Sequence, residues 1–531
     1  MRSFNRLVLC LAFCLLLTAC GGTGTGPAAP PQESGQPEEQ DGSKLVIAIA
    51  DEVVGLDVQQ ITWENMVHDL IFEPLVVYSA DLSELYPAFA ESFAVTDEYL
   101  EFVLPEGARF SNGDKLDAAA LKASMDRFLK ISEYASDLEP VTDVEVVDER
   151  TVRYHLSEPA PYVWANIASM YGGVVDVAAV EQLGEWEFNR RPVGNGMYYV
   201  DEWVAGSHLT LRRNEYFHTN NPMLQNHDAP PFETIEIRFI PDGEERLREL
   251  EAGNVDVIYN APTARRAELE ASGKYNVYSY RQPGVSYLNL QTEKGFLRDE
   301  LVRQALARAI DRDAINEALG GSITPNYSFI SEAQFGYSKE EDEKLAEELG
   351  YDPVRAGELL EEAGWSDTNG DGILEKFGQP LSLEMLIPAD NDTFRAAGPV
   401  LREQFAAVGA DVQIVEYDSD YIKELMREDD YAIGSRAIKW VDPDILYYAF
   451  TPDSGYPWED AELTRLIVAA RYVTDPEART QAYAEVSERI ARDFKAISLF
   501  ADNYIIVSRG DVNGIVVTAD GRAWFSDAVK G

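Results

Sequence analysis

The chain has 531 residues and carries 45 Lys and Arg against 93 Asp and Glu, a formal charge of −48 at pH 7. That charge sets it against nucleic acid, anionic lipid and anionic substrates as partners. With 45% hydrophobic and 11% aromatic residues it has material for two or three packed units. Its three cysteines, Cys10, Cys14 and Cys20, precede residue 21, which excludes a disulfide, a thiolate metal site or a cysteine nucleophile from the body of the protein.

In chain order, Arg2 and Arg6 precede an apolar run, Leu7 to Leu17, too short to span a bilayer, so residues 1–19 read as a signal peptide. Leu17-Thr18-Ala19-Cys20 matches the bacterial lipobox and makes Cys20 the expected lipidation site. Residues 20–43, rich in Gly, Pro, Glu and Gln, cannot bury a core and read as a flexible tether spanning roughly 25 Å. The expected location is extracytoplasmic, anchored to the cell membrane by the N-terminal lipid.

Folded structure should begin with the buried strand Leu45 to Ala50. Tyr99 to Leu104 reads as a strand, Ser111-Asn112-Gly113-Asp114 as a turn, and Asp117 as the cap of a helix whose apolar face is Leu121, Met125, Phe128 and Leu129. Thr234 to Ile240, Glu244 to Ala252 and Val255 to Tyr259 form a strand, helix, strand series. Beyond Pro283-Gly284 come a strand at Val285 to Leu290, a helix capped by Asp299, and a helix opened by Asp352-Pro353 and closed by Gly364. Strands near Leu381 to Ile387, Val412 to Glu416, Tyr504 to Val507 and Ile515 to Thr518 complete a mixed α/β chain.

Several stretches together carry a family resemblance. Tyr86-Pro-Ala-Phe-Ala-Glu-Ser-Phe93, Ala108 to Asp114, Arg191-Pro-Val-Gly-Asn-Gly-Met-Tyr198, Leu211 to Phe217, Ala252 to Val257 and Leu301 to Asp311 follow one another in the expected order. In these the chain resembles the extracytoplasmic solute-binding proteins of ABC importers, in particular the peptide/nickel-binding family 5. Asn195 and Met197 depart from that family's turn. The resemblance implies an α/β, two-lobed periplasmic-binding-protein-like fold (class II, cluster C type) with a hinge and an extra inserted subdomain. By analogy the first lobe takes residues 44–85, 190–283 and 500–531, the inserted subdomain 86–189 and the second lobe 284–499. Crossings near Pro283-Gly284 and Ser498-Leu499 would form the hinge, although Pro283-Gly284 also reads as a static turn.

Ala437 to Leu446 looks like the segment that brings a tryptophan and an acidic loop into the family's cleft. Trp440 is the leading candidate ligand contact, with a core tryptophan as the other reading. Peptide binders of the family place an Asp a few residues ahead of the Asp-Pro pair. Here Lys439-Trp440-Val441 precede Asp442 and supply no such carboxylate. Asp442 and Asp444 are the candidate substitutes, with loop initiation as the alternative. Trp63, Tyr171 and Arg436 complete the expected ligand set, Arg436 as a partner for a carboxylate. The five histidines at 68, 155, 208, 218 and 227 form no evident cluster. Asp367, Asn369, Asp371 and Glu375 match the first half of an EF-hand loop, but its twelfth position is Gly378. A structural calcium and an Asp/Asn/Gly turn both remain open there, and no cofactor is otherwise required.

The expected function is a monomeric receptor that captures a short peptide or similar small solute and delivers it to a permease and ATPase complex. A nickel-chelate receptor and a solute sensor are the alternatives. A tethered hydrolase is disfavoured, since no G-x-S-x-G elbow, H-E-x-x-H helix or Gly-rich phosphate loop occurs.

Overall fold

The computed structural model describes residues 43–63, 65–454 and 460–531. The expected signal peptide, Cys20 and nearly all of the tether lie outside the described residues. Among the described residues no helix is long and apolar enough to cross a membrane.

The strands that matter for the site are β1 (Lys44–Ile49), β2 (Ser92–Val95), β3 (Tyr99–Val103), β4 (Val141–Val146), β5 (Thr151–Leu156), β6 (Tyr198–Val204), β7 (His208–Arg213), β8 (Thr234–Phe239), β9 (Val257–Ile258), β10 (Tyr275–Arg281), β11 (Gly284–Leu290), β12 (Ile323–Pro325), β13 (Ser382–Pro388), β14 (Asp411–Tyr417), β15 (Ile433–Lys439) and β16 (Ala496–Arg509). The main helices are α1 (Ala118–Ile131), α2 (Gly243–Glu251), α3 (Glu300–Ala309), α4 (Pro353–Glu362), α5 (Asp392–Ala407), α6 (Ile445–Phe450), α7 (Ala461–Arg471) and α8 (Pro476–Asp493). Asp117, Asp299 and Asp352 each accept a backbone N–H at the start of α1, α3 and α4, as their positions predict. The strand expected at Tyr504 to Val507 is only the end of β16, whose N-terminal half comes from the apolar run Ala496 to Ala501. The strands expected at Val255 to Tyr259 and Ile515 to Thr518 shorten to two residues each.

Strand order β16-β9-β1-β8-β7-β6 forms one half of the sheet system and β14-β13-β15-β11-β16 the other, so β16 belongs to both. Side chains alternate between faces at period two. On β1, Leu45, Ile47 and Ile49 enter one core and Ala48 another. On β11, Leu288 and Leu290 enter one core while Val285 and Tyr287 enter the next. Burial on both faces is why β1 reads as a continuous apolar run rather than an alternating one. A separate four-stranded sheet, β2-β3-β5-β4, lies within the expected inserted segment and shares its core with α1 through Phe102, Tyr154 and Phe128.

The two halves are joined by a two-stranded crossing. β10 and then β11 run antiparallel along β16, with Arg281 opposite Asn503 and Ser286 opposite Phe500. Residues 282–285 therefore face only 501 and 502, and the ribbon bulges there. The changeover in β16 falls at 501–502, just past the expected Ser498-Leu499. Gly284 sits in the bulge at φ 122°, and a Cβ there would overlap the Ile438 carbonyl oxygen, so both backbone conformation and space demand glycine.

Candidate functional site

The bulge positions an aromatic array. Trp440, the residue after β15, donates its backbone N–H to the Pro283 carbonyl at 3.1 Å, and its own carbonyl accepts from Gln334 Nε2 at 2.8 Å. Its ring is 6.1 Å from that of Tyr171. The Tyr171 hydroxyl donates to the Thr62 carbonyl at 3.0 Å; Tyr134, 4.6 Å from the Tyr171 ring, donates to the same oxygen. Three candidates thus converge, Trp440 and Tyr171 through their rings and Trp63 through the backbone beside it. The Trp63 side chain is 70% exposed, whereas Tyr171 is 3% exposed.

Arg436 stays apart. It lies four residues before Trp440 on the same strand, about 13 Å along it, opposite Tyr287, whose ring is 5.8 Å from the guanidinium. That contact is with the core face of β11.

Asp442 is corrected as a ligand contact. It is 1% exposed, and its two carboxylate oxygens accept from Arg479 Nη1 and Nη2 at 2.8 and 2.7 Å, while Oδ1 also takes the Asp444 N–H. Asp444 is paired in the same way with Arg471 at 2.8 and 3.1 Å. A buried carboxylate already neutralised by a two-bond guanidinium pair is closed off from solvent and gains little from a second cation. The Asp-Pro-Asp loop instead braces α7 and α8 behind Trp440.

Arg471 extends this brace across to the inserted segment. Its guanidinium lies 3.9 Å from the Tyr447 ring and 4.3 Å from the Tyr162 ring, and the neighbouring Tyr448 hydroxyl donates to Asp137 at 3.1 Å. Three further charged residues, unread in the sequence, gather near the segment that leads into Tyr171. Arg522 pairs with Asp69 at 3.1 Å and donates to the Ala168 carbonyl at 3.1 Å. Burial pushes Asp69 up to about 6 despite Arg522, with Asp520 adding repulsion. Glu73, buried deeper, is pushed up to about 7 against the opposing pull of Arg522 and the Thr219 hydrogen bond. No local signal joins these residues, because Asp69 and Arg522 lie on opposite ends of the chain.

Known proteins share this architecture. The sequence profile of bacterial extracellular solute-binding proteins, family 5 Middle, matches residues 84–458. The chain belongs to family 5 of the bacterial extracellular solute-binding proteins. It is similar to the oligopeptide-binding protein AppA of Bacillus subtilis, 25% identical over 94% of this chain and 93% of that one. Its structure resembles NikA from Brucella suis in complex with Fe(III)-EDTA, with a TM-score of 0.80 at 23% identity over 92% of this chain and all of the other. It also resembles AppA from Bacillus subtilis in complex with a nonapeptide, with a TM-score of 0.73 at 21% identity over 92% and 99% of the two chains. The fold is therefore the two-lobed α/β fold of family 5, and the protein is an extracytoplasmic solute-binding receptor of the ABC-importer type.

In this family 5 protein the loop after α4 gathers the expected cation ligands. Oxygens of Asp367, Asp371 and Glu375 lie within 4.8 Å of one another. Asn369 turns its amide Nδ2 toward them, donating to Asp371 at 3.0 Å and Glu375 at 2.7 Å, and Asp367 accepts the N–H groups of Gly370 and Gly372. Those amides hold the Asp367 carboxyl below its ordinary range. The histidines remain dispersed: His218 meets Asp228 and His227 meets the Thr219 carbonyl, while His68 forms a capping box with Asn65.

Proposed function

We propose that the protein captures a short peptide between its two lobes and hands it to a permease and ATPase complex, held at the membrane by a lipid on Cys20 and acting as a monomer without catalysing a reaction. The observation that carries this reading is the Trp440–Tyr171 array beside the bulge at 282–285, where a solute touching both halves would favour their closure by its differential affinity for the closed state. Similarity to AppA, whose structure is described as holding a nonapeptide, supports a peptide as the solute; the dispersed histidines give no comparable support to a nickel chelate. The lobe limits at 44–85, 190–283 and 500–531, at 86–189 and at 284–499 belong to this proposal, with the paired crossing of β10–β11 and β16 as the hinge.

X-ray scattering on the mature chain with and without saturating tri- to nonapeptides should show a smaller radius of gyration with peptide, and an unchanged radius at saturation contradicts the mechanism. Intact-mass measurement of the membrane form should show a diacylglyceryl group on Cys20.

We also propose that the loop from Asp367 to Glu375 takes a calcium ion once the Asn369 amide turns its oxygen inward. Calorimetry should then give binding heat that Asp371→Ala removes; no heat in the parent protein leaves the loop as a self-satisfied turn.

A further inference from the structure

The two arginines behind the Asp-Pro-Asp loop each back an aromatic contact between the halves. Arg471, held by both oxygens of Asp444 at 2.8 and 3.1 Å, lies 4.3 Å from the ring of Tyr162, which precedes the short helix Val163–Ile167 of the inserted segment. Tyr472 meets the same ring nearly perpendicularly, with centroids 6.1 Å apart, and Tyr448 donates its hydroxyl to Asp137 at 3.1 Å. Arg479, held by Asp442, lies 5.6 Å from the ring of Phe335. That ring stands 6.5 Å from Tyr78 on the strand Val76–Tyr78 of the first half.

These contacts join two cores. Tyr162 is part of the core built around β1 and the inserted segment, and Tyr472 packs against it, whereas Leu446, Ile467 and Tyr483 on α6, α7 and α8 belong to a separate core. Arg471 is 7% and Tyr162 6% exposed. A guanidinium paired edge-on with a carboxylate still offers its flat face to a ring, and the attraction is stronger where water is excluded. Parting the halves would return the Tyr162 ring and the Arg471 face to water. The contact therefore favours the closed arrangement before any solute arrives.

We propose that this seam is a latch: Arg471 against Tyr162, with Tyr448 on Asp137 beside it, holds a fraction of the chain closed without a solute. A solute that binds only the closed form gains apparent affinity in proportion to that fraction, so the seam tunes retention from outside the Trp440–Tyr171 array. The latch goes beyond the capture reading and requires no particular solute.

The test is X-ray scattering from the mature chain, shown free of bound solute by native mass spectrometry, as the parent protein, Tyr162→Ala and Tyr448→Phe, with thermal melts alongside. Both variants should have a larger solute-free radius of gyration than the parent, Tyr162→Ala the larger of the two. Equilibrium dialysis against a random tripeptide library should then show Tyr162→Ala retaining about tenfold less peptide than the parent, the share expected of one desolvated cation–π contact. A residue that merely touched the solute would lower retention and leave the solute-free radius alone. An unchanged solute-free radius in a folded Tyr162→Ala overturns the latch, and a larger radius with undiminished retention overturns its link to affinity. Should Tyr162→Ala not fold, Tyr448→Phe decides alone, since it removes one hydroxyl from a side chain that is 37% exposed: a larger radius upholds the latch and an equal one overturns it. Larger solute-free variants beside a parent protein that retains no peptide uphold the latch and sink the peptide reading.

Discussion

The carboxylate of Asp442 and the guanidinium of Arg479 form a two-bond ion pair sealed from solvent, with side chains 1% and 3% exposed. The pair holds the loop after Trp440 against α8, so the position of the tryptophan depends on a buried ion pair.

Removing one member should therefore be worse than removing both. Arg479→Ala leaves a buried carboxylate without its partner and should cost about 3–5 kcal/mol, as should Asp442→Ala in reverse. The double variant should lose clearly less than the sum. Urea denaturation of the three variants checks this, and strict additivity would show that the pair contributes no coupling.

Gly284→Ala should be among the most damaging single-methyl additions in the protein. It places a Cβ on the Ile438 carbonyl and forces a non-glycine residue to φ 122°, a cost of about 3 kcal/mol or more from strain and overlap together. Gly357, inside α4 with open space around its Cα, is the opposite case: alanine there should stabilise by about 0.5–1 kcal/mol. Thermal denaturation of both separates the two effects, and equal melting temperatures would contradict the strained bulge.

Stability should fall as pH rises toward neutrality through the Asp69 and Glu73 carboxyls. Both are held above their ordinary values, at about 6 and about 7, so the folded chain keeps protons that the unfolded chain has already released. Their contribution is full below pH 4 and is lost as the pH passes 6 and then 7. For Glu73 the span from 4.5 to about 7 corresponds to about 3 kcal/mol at most. Glu73→Gln should flatten the decline of melting temperature between pH 5 and 8 and raise stability at pH 8. Parallel curves for the two proteins would place the titration elsewhere.

Trp440→Ala should weaken peptide retention about tenfold, the loss expected for one aromatic anchor, with little change in melting temperature because the backbone bonds to Pro283 and Gln334 remain. Tyr171→Phe removes the hydrogen bond to Thr62 and should cost about 1 kcal/mol of stability. Calorimetric titration with tri- to nonapeptides, beside thermal melts, distinguishes a binding role from a packing one; equal affinity in Trp440→Ala removes the indole from the site.

What the sequence determined by itself is what local physics controls. Asp117, Asp299 and Asp352 cap helices because a cap needs only a side-chain oxygen within three residues of free amides, and β1 announces itself as an apolar run because both its faces are buried. Tertiary structure decided the fate of each charged candidate. Whether Asp442 meets a solute or a guanidinium depends on Arg479, which reaches it from a helix 37 residues away, and the same folding brings Asp69 to Arg522. Capping energy is set within one turn of chain, whereas a buried charge takes its meaning from whichever distant groups share its low-dielectric surroundings, and only the completed packing names them.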